Sequence, residues 1–174
     1  MKKLWVPVML MALVATGCKR SQKQLLTGTW RSTKLENPDI DSFFAKSKMY
    51  IDTIGSSNDP AVNMELYGTN NIDSLRREMR SQYDSARNLQ AQQVTNTVFT
   101  FKDNNRMFIS FNGVMDTCKW TLPKENAIKL EDLNAGAHGE TMTWDIVSLT
   151  DKELVLKMEE NKSISKVTFV KEEK

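Results

Sequence analysis

The chain has 174 residues, of which 40% are hydrophobic and 26% charged, a composition typical of a globular protein and not of a disordered one. Its formal net charge is +2, and two of the positive charges, Lys2 and Lys3, belong to an N-terminal segment of the kind that directs export. Without those two lysines the net charge is about zero, so the charge balance excludes a strongly basic protein that binds nucleic acid.

The N-terminal segment has the three parts of an export signal. A basic start is followed by an apolar stretch over residues 4–14, roughly half of the ~20 residues that would span a bilayer. The run Ala15-Thr16-Gly17-Cys18 then resembles a bacterial lipobox, in which a small residue precedes a cysteine that receives acyl chains such as palmitate. We therefore predict a signal peptide over residues 1–17 and lipid attachment at Cys18. Ordinary secretion with cleavage nearby is the alternative.

Lipid attachment predicts that the protein is located in the cell envelope. Two acyl chains hold a protein stably on a membrane, and we expect an anchor in the outer membrane. Lys19 and Arg20 follow the anchor without an acidic run, which favours the periplasmic face. Residues 18–24 are polar, lack apolar periodicity and are interpreted as a tether to a single domain over residues 25–174.

The side chains available for catalysis or metal binding are few. Once Cys18 is acylated, Cys118 is the only remaining cysteine, so an intramolecular disulfide is excluded, and we expect a buried, inert thiol. His138 is the only histidine, and one histidine with one cysteine does not make a usual zinc site. No P-loop, GxSxG or HExxH motif occurs. We predict no catalytic residues, no metal and no cofactor, and hence a protein that is not an enzyme.

The domain opens with a predicted strand over residues 25–35 that contains Gly28-x-Trp30. Glycine permits close approach of neighbouring backbone, and Trp30 points to the same face of the strand as that gap. The indole of Trp30 is therefore expected to close one end of a sheet. Asn37-Pro38-Asp39 ends the strand, with Asp39 as the predicted N-cap of the next helix.

A helical insert is predicted between the first and second strands, over residues 39–93. Its first helix has an apolar face that includes Phe43 and Phe44. Residues 62–67 form either a short helix or an extended link. A longer second helix covers residues 72–93, with an apolar stripe of Ile72, Leu75, Met79, Tyr83 and Ala86.

From residue 93 onwards the pattern is entirely β. Asn112-Gly113 predicts a type I′ hairpin turn, because that turn requires positive φ at both central residues. With the first strand this region makes eight sequential antiparallel strands, which favours a closed up-and-down barrel over a two-sheet sandwich, because Greek-key order requires a longer crossover. The predicted strands cover residues 98–101, 106–111, 114–122, 127–131, 141–149, 153–159 and 163–170.

Several stretches carry a resemblance to the lipocalin-like (calycin-type) lipoproteins of Gram-negative bacteria. They are residues 26–30 with the Gly28-x-Trp30 motif, 99–105, 118–122, 144–156 and 167–171. The resemblance implies a mainly β, eight-stranded antiparallel barrel that can hold a small apolar ligand. It also implies a cation from the last strand over the motif tryptophan, and here Lys166 or Lys171 stands in for the arginine of true lipocalins.

Two functions remain open. In the first, the barrel carries a small hydrophobic ligand; in the second, the barrel is filled and the insert docks onto another envelope protein, because an eight-stranded barrel accommodates either arrangement. In the first case, we expect both helices to cross one barrel mouth, with Trp30 at the opposite end. The candidate ligand-binding side chains are the bulky inward ones, namely Phe101, Phe111, Trp120, Met142 and Trp144.

Overall fold

The computed structural model describes residues 20–55, 59–133, 141–160 and 162–173, and its centre is a closed β-barrel. Eight antiparallel strands pair in chain order and β8 pairs with β1, which confirms the predicted up-and-down barrel and rules out the sandwich. The strands are β1 (Gly28–Glu36), β2 (Val98–Phe101), β3 (Arg106–Phe111), β4 (Val114–Lys124), β5 (Ala127–Asp132), β6 (Thr141–Leu149), β7 (Glu153–Glu160) and β8 (Ser163–Lys171).

The helical insert lies between β1 and β2, as predicted. It consists of α2 (Pro38–Thr53), α3 (Pro60–Tyr67) and α4 (Ile72–Thr95), so the ambiguous stretch over residues 62–67 is helical. The predicted N-cap was wrong: Asn37, not Asp39, caps α2, because its side chain accepts hydrogen bonds from the backbone N–H groups of Asp39 and Ile40. No helix in the described part of the chain is both long and apolar enough to span a bilayer.

A short helix that the sequence analysis missed precedes the barrel. α1 (Gln22–Leu26) occupies part of the predicted tether, and β1 begins at Gly28 instead of residue 25. A capping box starts this helix: Ser21 and Gln24 each accept a hydrogen bond from the other's backbone N–H. Five residues are too few to show an apolar periodicity, which is why the polar composition of this segment concealed it.

The hydrophobic core lies inside the barrel. Inward positions alternate along the strands as predicted, so Cys118 and Trp120 on β4 and Trp144 and Ile146 on β6 are all buried. The core cluster consists of Leu26, Trp30, Phe99, Phe101, Met107, Cys118, Trp120, Ile128, Leu130, Trp144, Ile146, Leu154, Leu156 and Phe169.

The alternating strand directions give the barrel two different ends. The end that we call the closed end carries the β2–β3, β4–β5 and β6–β7 turns, together with α1. The other, the open end, carries the insert, the β7–β8 turn and the β3–β4 turn. Asn112 and Gly113 in that last turn have φ values of 50° and 82°, as the predicted type I′ hairpin requires.

Candidate ligand-binding site

The closed end is filled by aromatic side chains. Trp30 is fully buried, and its Nε1 donates a 2.7 Å hydrogen bond to the carbonyl oxygen of Leu26 at the end of α1. Phe101 packs edge-to-face on Trp120, with 5.3 Å between ring centroids. Nε1 of Trp120 donates to the carbonyl oxygen of Lys102 at 3.1 Å. The prediction that Trp30 closes one end of the barrel is confirmed.

Lys171 is the cation that covers the motif tryptophan. Its Nζ lies 4.8 Å from the ring centroid of Trp30 and donates a 2.6 Å hydrogen bond to the carbonyl oxygen of Leu25. Burial lowers the pKa of Lys171. Lys166, the other candidate, pairs with Glu36 at 3.6 Å instead.

Gly28 makes room for that lysine. A Cβ at position 28 would lie 2.6 Å from Cε of Lys171, and the φ of Gly28, +136°, is one that side-chain-bearing residues rarely adopt. The Gly28-x-Trp30 motif therefore holds three groups together: the indole, the ammonium group above it and the carbonyl oxygen of α1 that the ammonium group binds.

α1 is held against the turns of the closed end. Lys23 Nζ donates to Oδ1 of Asn105 in the β2–β3 turn at 2.5 Å, and Gln22 Nε2 donates to Oδ1 of Asn126 in the β4–β5 turn at 3.4 Å. Just before α1, Arg20 forms a 2.8 Å ion pair with Asp151 in the β6–β7 turn. The described residues before β1 therefore contact all three turns of this end.

A cavity of about 360 Å³ occupies the open end. This volume lies within the range of roughly 300–1,000 Å³ found for small-molecule sites. Its walls are mainly apolar. They are formed by the barrel strands at the open end, by the start of α2 and by the last turns of α4. The lining residues are Ser32, Leu35, Ile40, Gln90, Gln93, Val94, Thr97, Phe99, Ile109, Phe111, Trp144, Met158, Val167 and Phe169.

The floor of the cavity is an aromatic layer shared with the core. Phe99 stacks on Trp144 with 5.3 Å between ring centroids, and it lies 4.6 Å from the ring of Phe169. All three rings line the cavity and belong to the core cluster. This layer separates the cavity from the filled closed end.

The insert is joined to the barrel where each outer helix meets it. At the start of α2, the side-chain amide of Asn37 donates to Oγ of Ser165 on β8 at 2.8 Å. At the end of α4, Arg31 Nη1 on β1 donates to the carbonyl oxygen of Thr95 at 3.1 Å. These bonds hold the two helix ends that line the cavity over the barrel mouth.

The two longer helices also pack on each other. Phe44 of α2 contacts Tyr83 of α4 edge-to-face, with 5.6 Å between ring centroids. Asp52 of α2 pairs with Arg80 of α4 at 3.1 Å. On the predicted α4 stripe, Ile72 is buried and Tyr83 is half-buried, like Leu75 and Met79, whereas Ala86 is exposed.

The structure separates the five candidate ligand-binding residues. Phe111 and Trp144 line the cavity, Phe111 at the rim with 48% of its surface exposed. Phe101 and Trp120 lie in the core of the closed end, away from the cavity. Met142 is 45% exposed and does not line it. The predicted lipid-attachment residue Cys18 lies outside the described residues, as does the single histidine, His138.

The cavity contains residues that the sequence analysis did not select. Ile109, Val167 and Phe169 are inward positions of their strands, so alternation identifies their face. Gln90 and Gln93 lie three residues apart on α4 and both reach the cavity. No pattern in the sequence indicates that they lie opposite those strand positions.

The polar groups of the site are few and uncharged. Ser32, on the inward face of β1, is 1% exposed, and its hydroxyl has no hydrogen-bond partner among the described residues. None of the described residues that line the cavity carries a charge. Across the described ranges, no three His, Cys, Asp or Glu side chains cluster in a way that could hold a metal ion. The site is suited to non-covalent binding of an apolar molecule.

Cys118 is buried in the barrel wall. Burial raises the pKa of its thiol to about 11, and the nearby Asp116 and Asp132 act in the same direction. The thiol is therefore protonated at neutral pH. The predicted burial of this cysteine is confirmed, and because the thiolate is the reactive form we expect low reactivity there.

Comparison of the chain with protein-family models, with curated proteins and with solved structures gives no match. The eight-stranded closed barrel is consistent with a lipocalin-like fold, and the contact of Trp30 with Lys171 and the cavity opposite it agree with what the resemblance implies.

Proposed function

We propose that this protein is a non-enzymatic, lipid-anchored envelope lipoprotein whose barrel carries a small hydrophobic molecule at its open end. The observation that supports carriage is the apolar cavity of about 360 Å³ under α2 and α4. A barrel filled by its own side chains has no such space. The cavity therefore favours the carrier over the filled-barrel alternative.

Burial of apolar surface supplies the binding free energy in this proposal. A ligand that buries about 300 Å² of apolar surface gains roughly 7 kcal/mol from removal of that surface from water, before the costs of association. The rings of Phe99, Trp144 and Phe169 offer a flat apolar floor for that contact. The start of α2 and the last turns of α4 line the mouth, so movement of these helices would widen the path of the ligand.

The anchor proposal rests on the lipobox-like run that ends at Cys18. Two residues span at most about 7 Å of extended chain, and Arg20 is already paired with Asp151 at the closed end. A lipid on Cys18 would hold the closed end towards the membrane and direct the open end away from it. In this arrangement the ligand is exchanged with the aqueous side of the envelope or with a partner there, not directly with the bilayer.

The carrier proposal is tested by native mass spectrometry of the protein purified from its own membrane. We expect a co-purified small molecule on the wild-type protein and a lower occupancy on Ile109→Trp, because the larger side chain narrows the cavity. The matched control is Val147→Trp at an exposed position of β6, which should retain the molecule. No bound molecule on any folded form, or equal occupancy of Ile109→Trp, would contradict carriage.

The anchor is tested separately with Cys18→Ser. We expect the variant to appear in the soluble envelope fraction or to remain unprocessed. Complete processing with unchanged membrane retention would contradict lipid attachment. Protease treatment of intact cells distinguishes the periplasmic face, which we favour, from the outer face.

The second candidate is an interaction lipoprotein whose insert docks onto another envelope protein. It is favoured by the apolar side chains that the insert leaves exposed: Phe43, Met49, Tyr50, Met64, Leu66 and Leu89. Hydrogen exchange on the monomer separates the candidates. Strong protection of residues 75–83 supports a covering role for α4, whereas rapid exchange there favours docking.

A further inference from the structure

We propose that the cavity selects an uncharged ligand with an apolar body and one hydroxyl or carbonyl oxygen, which hydrogen-bonds to Ser32. This inference rests on the proposed carrier function and names the chemical class of its ligand. Three observations support it: a hydroxyl in the wall that has no partner among the described residues, the apolar surroundings of that hydroxyl and the lack of charge among the described lining residues.

Ser32 is a polar residue in an apolar layer. It faces inward on β1, opposite Phe169 of β8, and lines the cavity together with Phe99. Its backbone N–H already donates to the carbonyl oxygen of Thr97 at 2.9 Å. The side-chain hydroxyl is the group that has no partner among the described residues. Buried hydroxyls without a partner are uncommon in folded proteins, because removal from water is unfavourable unless a hydrogen bond replaces the lost hydration.

A ligand oxygen can supply what this hydroxyl lacks. The Ser32 oxygen has almost no accessible surface, so neighbouring lining side chains must shift to admit the ligand oxygen. A serine hydroxyl has one donor and two acceptor positions and rotates to suit its partner. It can therefore donate to a carbonyl oxygen, or exchange donor and acceptor roles with a ligand hydroxyl. Among the described inward residues of the core cluster none is a comparable polar residue, so Ser32 is the place where the wall distinguishes an oxygenated ligand from a pure hydrocarbon.

The other polar lining residues are neutral. Gln90 and Gln93 reach the cavity from α4, and the Thr97 hydroxyl already donates to the carbonyl oxygen of Gln93 at 2.8 Å. No described lining residue carries a charge that could pair with a carboxylate, a phosphate or an ammonium group. Burial of an unpaired charge is far less favourable than burial of a neutral polar group. The cavity should therefore reject ionised ligands of the same shape.

Three fluorescent probes with one ring system test this selection. They are 2-(dimethylamino)naphthalene, its 6-acetyl derivative and its 6-carboxylate. All samples use the full chain with Cys18→Ser, because acyl chains would themselves bind apolar probes, and any co-purified ligand is first extracted. We expect the acetyl probe to bind about fivefold more tightly than the parent probe, as one hydrogen bond provides, and the carboxylate to bind most weakly.

The role of Ser32 is tested with Ser32→Ala. We expect this variant to lower the affinity for the acetyl probe about fivefold, to the level of the parent probe, and to leave the parent probe's affinity unchanged. Ser32→Cys, which keeps the shape but donates weakly, should lie between. Ser110→Ala is the matched control, because Ser110 lies between Ile109 and Phe111 on β3 and faces away from the cavity. Thermal unfolding verifies that each variant is folded.

The outcomes separate the two proposals. If none of the three probes binds the folded protein, the carrier function itself fails. If the parent probe binds as tightly as the acetyl probe, if the carboxylate binds most tightly, or if Ser32→Ala leaves the acetyl affinity unchanged, the selection is overturned while carriage stands. The last result would mean that the acetyl oxygen binds another lining group, such as the Gln90 or Gln93 amide, or that water satisfies the Ser32 hydroxyl.

Discussion

The two ends of this barrel are built from the same strands but differ in what lies across them. At the closed end, α1 places Leu26 against Trp30, and Lys171 binds a carbonyl oxygen of α1, so the interior is filled to the last layer. At the open end, the helices of the insert lie across the mouth and leave about 360 Å³ below them. The short helix α1, which is hydrogen-bonded to the turns, closes its end of the barrel. The longer insert, which is bonded to the barrel at its two ends, borders a cavity.

The two ends of the barrel also differ in what their side chains contribute. The groups at the closed end are buried, mutually hydrogen-bonded and matched in size, which is what maximises stability. The open end has a hydroxyl without a partner among the described residues, half-buried helix residues and a rim phenylalanine. Local opening of a protein is favoured where few apolar contacts are buried. Mutations at the closed end should therefore affect stability, and mutations at the open end should affect binding and motion.

The largest effect is expected from Trp30→Ala at the closed end. Loss of a fully buried indole and of its hydrogen bond to Leu26 should lower the free energy of unfolding by about 3–5 kcal/mol in urea denaturation. Trp144→Ala is the control at the open end, and its cost should be smaller because one side of that ring already borders the cavity. A loss below about 1 kcal/mol for Trp30→Ala, or a greater loss for Trp144→Ala, would contradict the comparison.

The second-largest effect is expected from a substitution at the contact between α2 and α4. Phe44 is 7% exposed and packs on Tyr83, so Phe44→Ala should lower the local opening free energy of α4 by about 2 kcal/mol and accelerate hydrogen exchange over residues 75–83. The adjacent Phe43, 64% exposed, provides the control: Phe43→Ala should change exchange by less than about 0.5 kcal/mol. Equal effects of both substitutions, or faster exchange throughout the barrel, would contradict an independently opening insert.

The lysine at the closed end should have a smaller effect. Lys171→Met removes the hydrogen bond to Leu25 and the cation–π contact with Trp30, which should cost about 1–2 kcal/mol and expose α1 to proteolysis. The matched control is Lys166→Met, which removes only an exposed pair with Glu36 and should cost less than about 0.5 kcal/mol. Closure of this end by α1 would be disproved if α1 were equally resistant to protease in both variants.

The last predicted effect is absent at neutral pH, appears only at high pH and concerns Cys118 in the barrel wall. The fold raises the pKa of this thiol from 9.0 to about 11, so the unfolded chain loses the proton first as pH rises. The thiol's contribution to stability is full below pH 9 and is lost between pH 9 and 11, on the order of 3 kcal/mol at most. The difference between wild type and Cys118→Ala should show this loss in urea denaturation. Identical pH profiles, or rapid thiol labelling of the native protein at pH 8, would contradict it.

Much of the fold could be predicted because its signals are local. Alternation identified the strands, Asn112-Gly113 identified a hairpin turn, and the change from period 2 to period 3.6 located the insert. The missed helix α1 and the misplaced N-cap of α2 have a common cause. Both are set by a few hydrogen bonds that the side chains of Ser21 and Asn37 accept from backbone N–H groups, and several neighbouring polar residues offer the same chemistry.

The sequence by itself determined which side chains point into the barrel, because the period of a strand is two residues and only one face is apolar. The position of each inward side chain along the barrel axis was decided by the tertiary structure. Phe101 and Phe111 satisfy the same inward pattern, yet Phe101 packs at the closed end and Phe111 lies at the rim of the cavity. Alternation contains no information about position along the axis, which follows from the pairing of all eight strands and from what covers each end. The ligand site depends on the axial position of its side chains. The fold was therefore predictable from the sequence, whereas the complete site was not.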